Sequence, residues 1–296
     1  MSASGKPFIP LTSPKDHRPA SAFSGPGGLK SLIRDCFSLT TWLALGAVVQ
    51  AVLSLTLSPR LAFLPAFLLL SYRALTAYAT SIGWLHNPLM DGVIRKKFSA
   101  QIPDEVGDFG TKPSNQDIVV LLIGTRCNHP LGALSEGARG MLPYFPRMAK
   151  DLDTHAEEFG FLGMTSWLNS SAREAQNEIM DVAYFRTVEG LTAFAHSQYH
   201  TDAWTWWNNH TKKYPYLSIF HEVYHSPAGH WENIYVNSHL CDFASTQYRY
   251  VDQTSGKDMW TSPVVDASKG LLRSSRGRMA HGSGMEHGPI GMEGGY

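Results

Sequence analysis

Hydrophobic and polar positions divide the chain into stretches of different character. Residues 37–57 carry no charged side chain, and from Cys36 to Met90 only Arg60 and Arg73 are charged. A helix needs roughly 20 apolar residues to cross a bilayer, so this run matches one span in length. Ser58-Pro59-Arg60 interrupts it, and residues 61–80 form a second hydrophobic stretch containing Pro65 and Arg73. A hydrophobic helical hairpin, a membrane anchor, is therefore expected over residues 36–84. The run starts too late and is too long for a cleaved signal peptide. A pair of buried core helices is the alternative.

A different pattern follows. Residues 117–124 are a continuous β-branched apolar run, which reads as a buried strand. Residues 134–158 have helical spacing and end at Phe159-Gly160. Residues 161–168 and 181–186 read as strands, and residues 188–209 as one helix with an aromatic face. Residues 216–225 and 231–237 are further strands, separated by Ser226-Pro227-Ala228-Gly229. The order β-α-β-β-α-β, plus one short strand, predicts an α+β fold with a ferredoxin-like antiparallel sheet and two covering helices. The other sheet face is also apolar. A second copy of the domain is its expected cover, giving a homodimeric α+β barrel. Residues 1–35 are expected to be a disordered leader and residues 85–115 a linker. The catalytic domain is then 116–245, followed by a flexible tail over 246–296.

Composition narrows the class. With 25 basic and 25 acidic residues, the chain has no single-sign field to attract nucleic acid. Cys36, Cys127 and Cys241 form no Cys-x-x-Cys pair, which argues against a disulfide framework or a cysteine zinc site. They suit a reducing compartment. Lys30 and Arg34 precede the hydrophobic hairpin and Arg95, Lys96 and Lys97 follow it. The positive-inside rule then puts both flanks in the cytosol, with the anchor expected in the endoplasmic reticulum membrane. The sequons at Asn169 and Asn209 would go unglycosylated.

Several residue sets carry candidate chemistry. His221-Glu222-Val223-Tyr224-His225 spells the zinc-protease signature, which works only on a helix. Its neighbours favour a strand, where residues four apart are separated by about 13 Å, too far to share one zinc. No metal site is expected there. Alternation puts His221 on one face with Leu217, Ile219, Val223 and His225, either as a base or ligand in a dry pocket or as a packed core histidine. His196, His200 and Trp204 recur every four residues along the expected helix, as a pocket wall or an aromatic packing face. Arg126 ends the first strand, where its fork can hold a carboxylate or oxyanion, or form an internal ion pair with Glu222 or Glu232. Tyr235 and Asn237 share a strand face and Glu232 lies on the other, so the three line one pocket only if a bulge intervenes. No phosphate loop or Rossmann unit is present, so bound flavin or nicotinamide is not expected.

Arg126-Cys127-Asn128, Gly160-Phe161-Leu162-Gly163 and Tyr184-Phe185-Arg186-Thr187 also form part of an ordered set. It continues with Leu191, Phe194-Ala195, His200, Trp204, Asn208, His221-Glu222-x-Tyr224, Pro227, Glu232 and Tyr235-Val236-Asn237. The set, near residues 116–242, resembles a family of monooxygenase-like proteins of fungi and bacteria. That family is grouped with the antibiotic-biosynthesis-monooxygenase type of dimeric α+β barrel. The resemblance implies an oxygen-using tailoring enzyme of secondary metabolism. The reaction stays open, because such folds also host heme enzymes, dehydratases and cyclising enzymes. The expected chemistry uses O₂ as cosubstrate and no cofactor, with His200 or His221 as base and Arg126 stabilising an oxyanion. Trp204, Tyr235, Asn237, Glu222 and Glu232 are the expected pocket residues, and heme bound by His200 or His221 is the alternative. The expected substrate is a lipophilic polyketide or terpenoid that partitions into the membrane.

Overall fold

A computed structural model describes residues 6–21, 34, 37–169 and 178–279. The expectations for residues 22–33 and for the tail from 280 to 296, with His281 and His287, lie outside the described residues.

Two long helices come first, α1 (Leu39–Thr56) and α2 (Pro59–Ser81). Ser38 starts α1 by accepting a hydrogen bond from the Thr41 amide, and extended Leu57 and Ser58 separate the helices. Pro59 then occupies the first turn of α2, where its missing N–H costs nothing. Gln50 donates to the carbonyl of Ala62 at 3.2 Å and ties the hairpin together. Ala62 is the only buried residue of either helix. The alternative of two buried core helices is therefore not what forms.

The next elements are β1 (Ile94–Ala100), β2 (Ile118–Cys127), α3 (Glu136–Met141), α4 (Tyr144–Thr154), β3 (Phe161–Leu168) and β4 (Ile179–Phe185). They are followed by α5 (Val188–His196), α6 (Gln198–His210), β5 (Leu217–Ser226) and β6 (Tyr235–Ser238). The chain closes with β7 (Tyr248–Val251), β8 (Asp258–Thr261), β9 (Val264–Asp266) and α7 (Ser275–Arg278). Strands β2 to β5 form an antiparallel sheet in the order β3-β4-β2-β5. With α3–α4 between β2 and β3, and α5–α6 between β4 and β5, this is the expected ferredoxin-like arrangement.

One face of this sheet packs on the helices. Val119, Met164, Ala183 and Phe185 meet Ala149, Leu152, Leu191 and Phe194 there. At the far end, Cys127 and Leu217 meet Ala138, Met141 and Tyr214. On the opposite face Ile118, Leu162 and Tyr184 pack against Phe98, Ala100, Trp231, Phe243, Tyr248 and Val264. The chain therefore covers part of its second sheet face itself, with a three-stranded sheet β6-β1-β9 and a hairpin β7-β8.

That second layer corrects three expectations. Residues 85–115 are not merely a linker, because β1 lies within them and Phe98, Ser99 and Ala100 are fully buried. The segment after 246 is folded as far as residue 279, with Val264, Val265 and Leu272 in a core. Residues 6–21 are a strap, bridged at Pro10 to Val265 and at Lys15 to Trp260. Its Arg18 lies between the Phe161 and Trp260 rings and meets Asp153. The strap and β7 to β9 are too short, or too rich in turn residues, for periodicity to reveal them, whereas β6 falls within the strand expected over 231–237.

Candidate active site between helices and sheet

Residues paired across neighbouring strands share a face of the sheet. On the helix face of β2, Val119 and Leu121 lie under one apolar cluster and Cys127 under the other. Between them lie two rows that neither cluster contains. One row runs Ser166, Asp181, Ile123, His221 across the four strands, and the other runs Leu168, Ile179, Thr125, Ile219. Ile123 and Ile179 are only half-buried and Ile219 is 38% exposed, so solvent reaches this stretch of the sheet. The first row has Ile123 among polar residues, and the second has Thr125 among apolar ones.

His200 lies in the first turn of α6. Its Nδ1 lies 2.9 Å from the Ala195 carbonyl oxygen and must donate to it, which leaves the lone pair on Nε2. The ring stands edge-on to Phe194. Burial pushes the His200 pKa down; the Ala195 bond opposes this, and the charges of His196 and His221 add to it. His200 is thus a neutral base at neutral pH. His221 acts on it from the sheet, as the smallest of these contributions.

Asp181 is the residue that sequence reasoning missed. It is 4% exposed on the helix face of a strand that also presents Ala183 and Phe185. Burial raises its pKa to about 6, opposed by a hydrogen bond donated by the Ser166 hydroxyl. An aspartate among alternating apolar residues was the available signal, since an unpaired buried carboxylate is costly to keep without a use.

The other expected residues are distributed differently. Arg126 lies on the opposite face of β2 from Thr125 and Cys127, where Nη1 meets Glu178 Oε2 at 3.2 Å. The sheet separates it from His200 and His221, so it cannot stabilise an oxyanion formed beside them. Among the described residues its carboxylate partner is Glu178 rather than Glu222 or Glu232. Glu222 is exposed on that opposite face and accepts a hydrogen bond from Tyr224. Glu232 pairs with buried Arg278 and anchors α7. Tyr235 stacks on Phe98 in the second layer, with its hydroxyl accepting from the Ala244 amide. Burial drives its pKa well up. Asn237 is exposed at φ 48° on β6. Only Trp204 of that group shares an element with His200, one turn further along α6 and 55% exposed.

Two local features differ from the pattern read in sequence. The single helix expected over 188–209 is broken at Ser197, which is extended and whose hydroxyl bonds back to Phe194 O. His196 and His200 therefore belong to different helices. His221 and His225 sit on a strand, as expected, with His225 bonded to Asp117 rather than turned towards a shared metal. Among the described residues no three His, Cys, Asp or Glu side chains converge as a metal site.

Comparison with known proteins gives the family. A model of the family described as "Monooxygenase af470-like" matches residues 118–243, from the start of β2 to the first residues beyond β6. The chain is 30% identical to "Monooxygenase af470" of Aspergillus fumigatus over 280 residues, 94% of this chain and 98% of that protein. Among solved structures, an aldoxime dehydratase in complex with butyraldoxime shares 14% identity at a TM-score of 0.35, over 42% of this chain and 36% of that one. SnoaB, a cofactor-independent oxygenase from Streptomyces nogalater, shares 13% at a TM-score of 0.25, over 36% and 90%. The extent of the Aspergillus match, which cannot omit both hydrophobic helices, and the family model over the ferredoxin-like unit lead to one assignment: this chain is an enzyme of the af470-like monooxygenase family.

Proposed function

We propose that this enzyme is a cofactor-free, membrane-anchored tailoring monooxygenase of secondary metabolism, acting on a lipophilic polyketide or terpenoid. The observation that carries the reading is the desolvated imidazole of His200, whose Nδ1 is held by the Ala195 carbonyl so that Nε2 is the basic nitrogen. Nε2 takes a proton from an enolisable C–H, and the electron pair of that bond becomes the enolate. The enolate reduces O₂. The enolate carbon bonds to one oxygen of O₂ to give a hydroperoxide. Loss of the second hydrogen of the same CH₂ carbon then breaks the O–O bond, leaving a carbonyl on carbon and releasing the other oxygen as water. The two C–H bonds thus supply all four electrons, and that second hydrogen supplies one of the two protons of water. His200 returns its proton to the departing oxygen.

The anchor gives the substrate class a physical basis. Helices α1 and α2 have mean hydropathies of 1.6 and 1.4 and expose leucine, valine and phenylalanine on all sides. Lipid is the cover that fits such a surface. Lys96 and Lys97 beside it favour the cytosolic face of the endoplasmic reticulum for the catalytic domain. A homodimer completes the reading. Strand β5 is an open edge of ten residues, with Phe220 and Tyr224 exposed on the face that the second layer leaves uncovered.

The test is deletion of the gene in the native host and purification of the intermediate that accumulates. The full-length enzyme is expected to consume one O₂ per molecule of that intermediate converted. Turnover without oxygen uptake would replace the monooxygenase with a dehydratase or cyclase. The same tautomer of His200 also suits a heme ligand, so a Soret band in the active enzyme would move the assignment to heme.

A further inference from the structure

We propose that Asp181 is a second proton acceptor of this site, taking the proton of an acidic phenol or enol that lies across Ile123 towards His221. This rests on the reading of the site as catalytic and names the substrate chemistry more closely. Three observations carry it. Asp181 and His221 occupy the same row on the helix face, with Ile123 between them. At strand spacing their backbones are about 10 Å apart, enough for a flat ring body. That body would rest on Ile123, Ile179 and Ile219, which are incompletely buried.

Asp181 itself is built into the site rather than into an ion pair. It is 4% exposed, and among the described residues its hydrogen-bond partner is the Ser166 hydroxyl. A buried carboxylate without a cation gains by accepting a proton. Its pKa, raised to about 6, leaves it ionised but strongly basic for a carboxylate at neutral pH. His221 lies in the same row, and its charge acts on His200. In the step, the ligand O–H bond breaks and its electron pair stays on oxygen. The proton goes to the Asp181 carboxylate, which becomes neutral. A localised buried charge is exchanged for one spread over a conjugated ring, which the isoleucines tolerate better. The delocalised anion is also the electron-rich species that O₂ chemistry needs.

The test uses 4-nitrophenolate as the probe and full-length enzyme in detergent. Calorimetry at about pH 8 in two buffers of different ionisation enthalpy counts protons taken up on binding. The wild type is expected to take up close to one proton per phenolate. Asp181→Asn is expected to lose the uptake and His200→Gln to keep it. Uptake that survives in Asp181→Asn, or a wild type that does not bind the probe, overturns the proposal. If Asp181→Asn does not fold, Ser166→Ala serves instead. Removing that hydrogen bond is expected to shift upward the pH below which uptake disappears, and an unchanged limit overturns the proposal. Oxygen uptake with the native intermediate is a separate readout, so the monooxygenase reading can fail while this assignment stands, and the reverse.

Discussion

Asp181 and His221 face the helices from the same row of the sheet, with Ile123 directly between them. Strand register alone creates this relationship. Asp181 and His221 lie far beyond Ile123 of β2 in the chain and are brought level with it by two antiparallel pairings, and the same register sends Arg126 to the opposite face beside Glu178.

Asp181 should make stability depend on pH in a specific direction. Its folded pKa is raised, from 3.8 to about 6, so protonation favours the folded state. The stabilisation is complete below about pH 4 and is lost as pH rises through about 6. Asp181→Asn should therefore unfold at a higher temperature than wild type at neutral pH, by on the order of 2 to 3 kcal/mol. The difference should close near pH 4, as thermal unfolding at several pH values would show.

Gly124 lies under the Phe220 ring. A Cβ there would stand 2.2 Å from Phe220 Cζ and 2.8 Å from the Ile179 carbonyl oxygen. Gly124→Ala is expected to cost about 2 to 3 kcal/mol in denaturant unfolding. Adding Phe220→Ala should recover part of this and no more, because the contact with the Ile179 backbone remains.

Arg18 holds the N-terminal strap on the domain. It meets Asp153, donates to the Leu162 carbonyl at 3.2 Å and lies between two aromatic rings. Arg18→Ala leaves a largely buried carboxylate and should destabilise the domain by about 3 kcal/mol. Lysine should restore little, since it lacks the planar fork and stacking face. Limited proteolysis should cut the strap of either variant sooner than that of wild type.

Asn209 tests the orientation across the membrane. It is exposed at the end of α6 within an Asn-His-Thr sequon. Facing the cytosol, it should stay unmodified when the protein is expressed in a eukaryotic host. An endoglycosidase-sensitive mass shift that Asn209→Gln abolishes would place the domain in the lumen.

The ferredoxin-like unit was legible because its long strands are buried runs and its helices are separated from them by turn signals. His200 and His221 stood out by residue type. The second layer was not legible. Apart from β6, which the strand expected over 231–237 overlaps, its strands β7 to β9 contain three or four residues each, and β9 pairs with residues far away in sequence, as Asp266 does with Phe98. The break at Ser197 was hidden because residues on both sides favour helix, although a serine before Gln198 is a helix-start signal. Arg126 was grouped with the histidines because which face a strand turns towards the helices depends on long-range packing. Asp181 was visible as an alternation fault among Ala183 and Phe185, yet it was read only as the start of a strand.

The most direct measurement is the rate of oxygen uptake by full-length His200→Gln and Arg126→Gln enzymes on the intermediate that accumulates in the deletion strain. The expected result is a loss on the order of 100-fold or more for His200→Gln, with Arg126→Gln within about threefold of wild type. An active His200→Gln beside an inactive Arg126→Gln would move the chemistry to the other face of the sheet and contradict the site described between helices and strands.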